Sequence, residues 1–174
     1  QHLLSVISAQ YLDRLYLKAD AAVKLIWGFD ALNHYPGKMA LSKLGRAFSM
    51  DLHNLFTSDI ATGFLSLLNL GLVDDRAATR IKELILRSEV EGWSAREAAN
   101  VIWALARADF LEQDTFMVLR RYMLQCKPDQ LPHYCQVDMY RCFLHLHTFR
   151  PTMARLMPAV IGEKCQKAWI EEQM

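Results

Sequence analysis

The chain has 174 residues, of which 52% are hydrophobic and 22% charged, and this composition excludes a disordered protein. A formal net charge of +1 excludes a global electrostatic attraction to nucleic acid or to an acidic membrane surface. No uninterrupted apolar run approaches the ~20 residues that a membrane-spanning helix needs, so we expect no membrane span.

Hydrophobic residues recur at helical spacing along the whole chain, and no segment alternates in the manner of a strand. Glycine and proline separate the periodic segments. We expect Pro158 to kink or restart the last helix. The predicted helices span approximately 2–17, 20–33, 38–53, 57–71, 75–88, 94–108, 112–126, 133–147 and 152–172.

Three of the predicted helix starts carry residues that favour capping. Thr57 and Ser94 are suited to the N-cap, since a hydroxyl oxygen accepts a hydrogen bond from a free backbone N–H of the first turn. Glu97 follows Ser94 at the spacing of a capping box. Asp74 and Asp75 place acidic groups at the positive end of the next helix.

The sequence repeats itself at a step of about 38 residues. When residues 95–113 are placed over 57–75, Ile102 falls on Phe64 and Leu105 falls on Leu67, and the register continues more faintly into 19–37 and 133–151. Self-similarity of this period is typical of stacked helical hairpins. The shared apolar columns are Ile26/Phe64/Ile102/Tyr140, Phe29/Leu67/Leu105/Phe143 and Leu32/Leu70/Ala108/Leu146.

These observations predict an all-α fold, an α-solenoid of about four stacked helical hairpins with a ~38-residue repeat. We expect one domain over 1–174, with units at approximately 19–56, 57–93, 94–131 and 132–174. Residues 1–18 would be the second helix of a preceding unit. Because the chain begins at Gln1 and neither end carries an obvious polar cap, we expect a processed form or a fragment, or a chain that leans on a partner.

The third unit carries a recognisable motif. Residues 97–107 read EAANVIWALAR and follow Ser94, and this text resembles the signature helix of octotricopeptide repeats, which are 38-residue hairpins related to those of FAST-kinase-like and RAP-domain proteins. The second unit has Leu65 in place of the tryptophan, the first keeps Trp27, and the fourth keeps only the apolar phase. The family's proline-rich, tryptophan-containing segment and a RAP-like C-terminal domain are missing from the sequence.

The resemblance implies an organellar protein that acts on RNA. We favour a structural subunit of a divergent mitochondrial ribosome that contacts RNA and neighbouring proteins, because the net charge is near zero and the apolar fraction is high. One alternative is a free RNA-binding factor for maturation, stability or translation of organellar RNA. Another is a helical scaffold subunit of a different organellar complex, and the chloroplast is the alternative to the mitochondrion.

One stripe of each first helix lies beside the buried columns and is the candidate RNA-binding surface. The column Lys24/Thr62/Asn100/Asp138 is polar in every unit but chemically different in each, as base reading by a repeat protein would require; ordinary solvated helix faces are the alternative. For the tryptophans Trp27 and Trp103 we favour packing over base stacking. The candidate RNA-binding residues are Arg96, Asn100, Arg107, Lys24, Thr62, Asp138, Arg141, Arg120, Arg121 and Lys127.

The sequence does not favour a metal site or an enzyme. Cys126, Cys135, Cys142 and Cys165 follow no disulfide spacing, and we expect reduced, mostly buried thiols. Zinc is the alternative for the group His133, Cys135, Cys142, His145 and His147, but their spacing does not reproduce a structural zinc knuckle. Phosphate-binding glycine loops, nucleophile elbows and paired-carboxylate motifs are missing, so we expect no catalysis, cofactor or small-molecule substrate.

Overall fold

A computed structural model of the chain describes residues 17–87, 92–125 and 127–174. Within these ranges the chain forms nine α-helices and two short 3-10 turns, and no strand. The prediction of an all-α protein is therefore confirmed for the described residues. The helix predicted over 2–17 and Cys126 lie outside them.

The helices alternate between a first and a second helix of successive hairpins. The first helices begin at Ala19, Thr57, Ala95 and His133, each 38 residues after the one before. The bounds in chain order are α1 Ala19–Ala31, α2 Lys38–Met50, α3 Thr57–Asn69, α4 Asp75–Leu86, α5 Ala95–Arg107, α6 Gln113–Leu124, α7 His133–Phe149, α8 Pro151–Ala154 and α9 Ala159–Gln173.

Local chemistry explains several of these boundaries. The Ser94 capping box is present: the Glu97 N–H donates to Ser94 Oγ at 3.2 Å, and the Ser94 N–H donates to Glu97 Oε2 at 2.8 Å. Asp74 accepts two backbone N–H groups of the first turn of α4 at 3.1 Å each. Both capping predictions are thus confirmed, and each removes free donors from a helix start.

Two further boundary predictions have different outcomes. Phe56, and not Thr57, is at the N-cap of α3, and Thr57 is the first helical residue. The Thr57 prediction is wrong because the helical backbone starts one residue earlier than the hydroxyl suggested. Pro158 separates α8 from α9 and is at the N-cap of α9, which confirms the predicted restart. Proline suits this place because it has no N–H to leave unpaired.

A boundary between Leu84 and Ile85 divides the chain into two compact structural units, which are called the first and second unit from here on and are distinct from the four sequence repeats. In the first unit α1 packs against α3. Asn69 Nδ2 donates to Asp30 Oδ2 at 3.1 Å, and a methyl group built on Gly63 would lie 3.2 Å from Val23. These contacts join residues 39 and 40 positions apart, and a nearly constant separation in number means that the two helices are parallel.

The second unit is built in the same way from α5 and α7. Arg96 Nε donates to Asp138 Oδ2 at 2.9 Å near the N-terminal ends of the helices, and Arg150 forms an ion pair with Asp109 beyond their C-terminal ends. The separations in number are 42 and 41, so these helices are also parallel. On the other side of α7, α9 packs with its Trp169 ring 5.6 Å from that of Tyr140.

The core follows the predicted columns only in part. Ile26, Phe64, Ile102 and Tyr140 are all buried, so the first column is a core column throughout. The second column is buried in three of the four sequence repeats and half-buried at Phe143. The third does not hold as a core column: Leu146 is fully buried but Leu32 is 63% exposed, because Leu32 lies at the C-cap of α1, where the chain leaves the helix.

A pair of helical glycines tests how tightly the first unit is packed. An alanine methyl group at Gly63 would lie 2.8 Å from the ring of Phe48, which is fully buried, whereas a methyl group at Gly28 would have nothing within 4 Å. We predict that Gly63→Ala lowers the free energy of unfolding by about 1–3 kcal/mol through overpacking. The measurement is urea unfolding followed by circular dichroism.

Gly28→Ala is the matched control for this prediction. Because the space is open and alanine favours the helix, this change should raise the free energy of unfolding by about 0.5–1 kcal/mol. The two substitutions are chemically identical and differ only in their surroundings. Equal effects of the two changes would contradict the described packing of α3 against Phe48.

Candidate functional site

The candidate site is the face shared by α5 and α7. Because these helices are parallel and begin 38 residues apart, residues separated by about that number lie side by side across the two helices. The predicted stripe of the third sequence repeat therefore lies beside the equivalent stripe of the fourth repeat. We call this surface the α5–α7 face; its residues are Arg96, Trp103, Arg107, Tyr134, Asp138, Arg141, His145 and Arg150.

Ion pairs link the N-terminal part of this face. Besides its hydrogen bond to Asp138, Arg96 places its guanidinium 4.8 Å from the centre of the Tyr134 ring. The carboxylate of Asp138 is also 3.7 Å from Arg141 Nη1, and Arg141 Nη2 donates to Glu172 Oε2 of α9 at 3.2 Å. Positive and negative groups therefore alternate from α5 across α7 to α9.

Asp138 is enclosed by this network. Its side chain is only 15% exposed, against 41% for Arg96, and two guanidinium groups approach its carboxylate. A carboxylate held in this way positions arginines. The structure thus gives Asp138 a contact that the column of predicted base-reading residues did not anticipate.

Side chains at the middle of the face are largely shielded from solvent. Asn100 is only 5% exposed, and its side-chain oxygen has no hydrogen-bond partner among the described residues. Trp103 is half-buried, and its backbone is hydrogen-bonded to the Cys142 thiol. Lys24 is exposed and Thr62 half-buried, so the four members of the predicted polar column do not share one solvent-facing environment.

Basic groups converge at the C-terminal ends of α5 and α7. The exposed Arg107 places its guanidinium 5.4 Å from the centre of the Trp103 ring. The half-buried His145 lies near both Arg107 and Arg150, and Arg150 is paired with Asp109. Two arginines and a histidine of the second unit thus contribute to one positively charged environment, in which Arg150 is paired with Asp109.

The pKa of His145 reports the balance of charge there. Burial lowers this pKa below the ordinary value of 6.5, and the charges of Arg107 and Arg150 lower it further. A hydrogen bond to the Ala106 carbonyl acts in the opposite direction but does not prevail. The imidazole is therefore neutral at neutral pH in a locally positive environment.

The remaining predicted residues lie elsewhere. Lys24 and Thr62 belong to α1 and α3 of the first unit. Arg120 on α6 is half-buried and donates to the Leu156 carbonyl, so part of its guanidinium is already occupied by a backbone contact. Arg121 and Lys127 are exposed.

The cysteines in the described part of the chain are free thiols. Cys135, Cys142 and Cys165 are buried, as predicted for reduced thiols. Burial raises the pKa of Cys142 far above its ordinary value and also raises that of Cys135, which keeps both thiols neutral. Among the described residues, no three His, Cys, Asp or Glu side chains are grouped so that they could hold a metal ion.

Comparison with known proteins adds no relative. No protein-family model matches the chain, and no curated protein is significantly similar to it in sequence. Membership of the octotricopeptide-repeat family therefore stays a prediction. None of the described helices is both long and apolar enough to cross a membrane.

The sequence did not indicate the Asp109–Arg150 pair. Asp109 has a positive φ of 62° in the turn after α5, and Arg150 follows α7 directly. Their separation of 41 residues, close to the helix step, is the signal that could have found the pair. It was missed because loop residues fall outside the helical columns.

The neighbouring arginines make the pKa of His145 testable. We predict that Arg107→Gln raises this pKa toward 6.5, since one positive neighbour is removed while the burial of the ring stays. The measurement is a titration of the ring by 15N NMR. Arg121→Gln, an equal change on α6, is the control and should leave the His145 titration in place. An unchanged pKa in the Arg107 variant would show that the two groups are not neighbours.

Proposed function

We propose that the chain is an α-solenoid of octotricopeptide type that contacts RNA through its α5–α7 face, as a structural subunit of a divergent mitochondrial ribosome. The proposal has three parts, namely repeat architecture, RNA contact and assembly with other proteins. Separate observations support each part.

Helix placement supports the repeat architecture. First helices begin at a step of 38 residues, and within each compact unit the two first helices are parallel. Hairpins that stack side by side with their first helices parallel are the building principle of α-solenoids. The text of residues 94–107, with its capping box, gives the reason to choose this repeat family and an organelle.

The observation that carries the RNA contact is the alternation of guanidinium and aromatic groups on the α5–α7 face. Arg96 lies over Tyr134, whose side chain is 57% exposed, and Arg107 lies over Trp103. Surfaces that bind single-stranded nucleic acid combine cations that hold the backbone with rings that stack on bases. Prior contact with a ring also pre-orients each guanidinium.

The burial of polar groups indicates which parts of RNA are contacted. The Asn100 amide is enclosed and the Asp138 carboxylate is held by arginines. A base edge is therefore offered few free acceptors, whereas Arg96 and Arg107 offer donors suited to phosphate. We propose contacts mainly to phosphate and sugar, with little sequence preference, as suits a ribosomal RNA held in place by its shape.

Exposed apolar side chains in the first unit support assembly with other proteins. Phe56 is 80% exposed, Met39 75% and Met50 62%, and these large groups gain stability when a partner covers them. Such exposure favours the subunit over the free factor, because a protein that acts alone has no partner to cover these groups.

The salt dependence of RNA affinity tests the contact. We predict that Arg96→Ala combined with Arg107→Ala removes about two phosphate contacts and makes the plot of log affinity against log salt shallower by about 1.4, on the single-strand scaling. The measurement is fluorescence anisotropy of a labelled oligouridylate over a range of salt concentrations.

The matched control is Arg155→Ala combined with Lys167→Ala. It removes the same charge from exposed positions after α8 and on α9 that are not members of the α5–α7 face. This variant should keep the slope of the unaltered chain. A slope that is equal in both double variants would assign RNA affinity to charge in general and contradict the proposed face.

The oligomeric state of the isolated chain distinguishes a structural subunit from a free RNA-binding factor. We predict that size-exclusion chromatography of the chain alone shows self-association or loss of protein from solution, since no partner then covers the exposed apolar groups of the first unit. Phe56→Ser with Met39→Ser should increase the recovery of monomer. A stable monomer of the unaltered chain at high concentration would favour the free factor.

A further inference from the structure

One face of α2 carries methionines and cations in a single stripe. Met39, Lys43, Arg46 and Met50 follow one another at steps of four, three and four residues, so they lie within about 60° of one another around the helix axis. Met39 is 75% exposed and Met50 62%. Arg46 is exposed and Lys43 half-buried. Most of this stripe, which we call the α2 stripe, is therefore open to solvent.

The opposite side of α2 already holds the helix in place. Leu41, Leu44 and Phe48 are buried there and belong to the core of the first unit. Folding of this helix therefore does not depend on the two exposed methionines. Large apolar side chains that the fold itself does not cover are typical of a surface that binds another protein.

A groove runs beside the α2 stripe. Its volume is about 500 Å³, and its lining residues are Lys38, Met39, Ser42, Lys43 and Arg46. Three of these five residues are cations, and no acidic residue is among them. From Met39 to Met50 the stripe is about 16 Å long, at a rise of about 1.5 Å per residue. This length accommodates about three turns of a partner helix.

The cations of this groove are not neutralised within the described part of the chain. No described acidic side chain forms an ion pair with any of them. Asp51, which follows α2, lies 3.3 Å from His53 and accepts a hydrogen bond from Asn54 at 2.7 Å. Asp74 lines a cleft with Arg46, but its carboxylate accepts two backbone N–H groups of α4. The nearby carboxylates are thus occupied elsewhere.

The position of Lys38 also favours a negatively charged partner. It is the first residue of α2, where the positive end of the helix dipole disfavours a cation. The first turn of α2 contains no acidic residue, and no side chain caps it. The fold gains nothing from a positive charge at this place, whereas an acidic partner would neutralise it. Charge complementarity therefore indicates an acidic occupant.

The methionines distinguish an acidic protein segment from RNA. A phosphate backbone would use the cations but would leave the methionine side chains without apolar contacts. An amphipathic helix with apolar and acidic side chains on one face would use both. Methionine suits such a contact, because its flexible, polarizable side chain adapts to the apolar groups of a partner.

We propose that the α2 stripe and its groove dock an acidic amphipathic helix of a partner protein. Apolar side chains of that helix pack against Met39 and Met50, and its carboxylates pair with Lys38, Lys43 and Arg46. This inference rests on the assembly part of the proposed function and adds the chemistry of the partner. It does not depend on RNA contact at the α5–α7 face.

The experiment is a titration of the full chain with a synthetic helical peptide of about 15 residues, in which leucines at i, i+4, i+7 and i+11 are flanked by glutamates. Binding is measured by fluorescence anisotropy of the labelled peptide and by 13C-methyl NMR of the methionines. We expect the Met39 and Met50 signals to shift, while that of Met117 on α6, 38% exposed, stays in place. The affinity should fall as salt screens the charges.

A peptide of the same composition in scrambled order is the control for the pattern. Its leucines no longer share one face, so it should bind about tenfold more weakly or less. The comparison separates docking of an amphipathic helix from attraction of any acidic peptide to a basic surface.

Charge reversal tests the groove. Lys38→Glu combined with Lys43→Glu should weaken binding of the patterned peptide about tenfold or more, because two attractive neighbours become repulsive. Arg121→Glu combined with Lys127→Glu makes the same change in net charge at exposed positions of the second unit and should leave the affinity in place.

An exchange of charge on the peptide completes the test. A peptide with lysines in place of the glutamates should bind the Lys38/Lys43 variant more tightly than the unaltered chain. A variant that had lost its fold would not gain affinity in this way, so the exchange distinguishes a lost contact from a lost structure.

The outcomes separate this inference from the proposed function. If the patterned peptide leaves the Met39 and Met50 signals unchanged, or if the scrambled peptide binds equally well, the docking surface is wrong, and self-association of the isolated chain would still support assembly. If the peptide binds as expected but the chain shows no RNA affinity, the docking surface stands and the RNA function is wrong.

Two other occupants would overturn the proposal. If an oligouridylate shifts the Met39 and Met50 signals and the peptide does not, the stripe binds nucleic acid. If raising the concentration of the chain alone shifts these signals and the peptide does not compete, the occupant is a second copy of the chain.

Discussion

The parallel packing of first helices is the constraint on which the α5–α7 face depends. Parallel helices of equal pitch keep neighbouring residues at a fixed separation in number, and this separation is 42 at Arg96–Asp138 and 41 at Asp109–Arg150. Each side chain on this face of α5 therefore lies beside a residue of the fourth sequence repeat at about that separation in the chain. The same geometry joins Asn69 to Asp30 in the first unit, at a separation of 39. An antiparallel pair would bring together entirely different residues, and the face would not exist.

The electrostatics of that face show how a nearly neutral chain still carries several arginines on one surface. Each arginine near the N-terminal ends has an acidic partner, which holds the guanidinium in place and limits its attraction at long range. Toward the C-terminal ends, Arg107 and Arg150 both lower the pKa of His145, and Arg150 is paired with the exposed Asp109. Burial is the main cause of the lowered pKa of His145, and the charges of the two arginines lower it further.

The helices themselves could be predicted from the sequence because their causes are local. Apolar spacing, the Ser94 capping box and the break at Pro158 act within a few residues, and the structure agrees with each of them. The Thr57 N-cap failed by one residue, since a hydroxyl shows that capping is favourable and does not fix where the helical backbone begins. Leu32 failed as a core residue for a related reason. Its column continues past the end of α1, where the helical periodicity no longer determines which way a side chain faces.

What the sequence by itself determined is the all-α fold, the helix order, the first buried column and the stripe from which the candidate face is drawn. Only the tertiary structure decided what the polar members of that stripe do. Asn100 and Asp138 occupy the same column, yet the first is buried with a free carbonyl oxygen and the second is held between two arginines. Helical periodicity gives the angle of a side chain about its own axis. Burial, ion pairing and the pKa of His145 depend on what the neighbouring helix places opposite that angle, which requires the packing of distant segments.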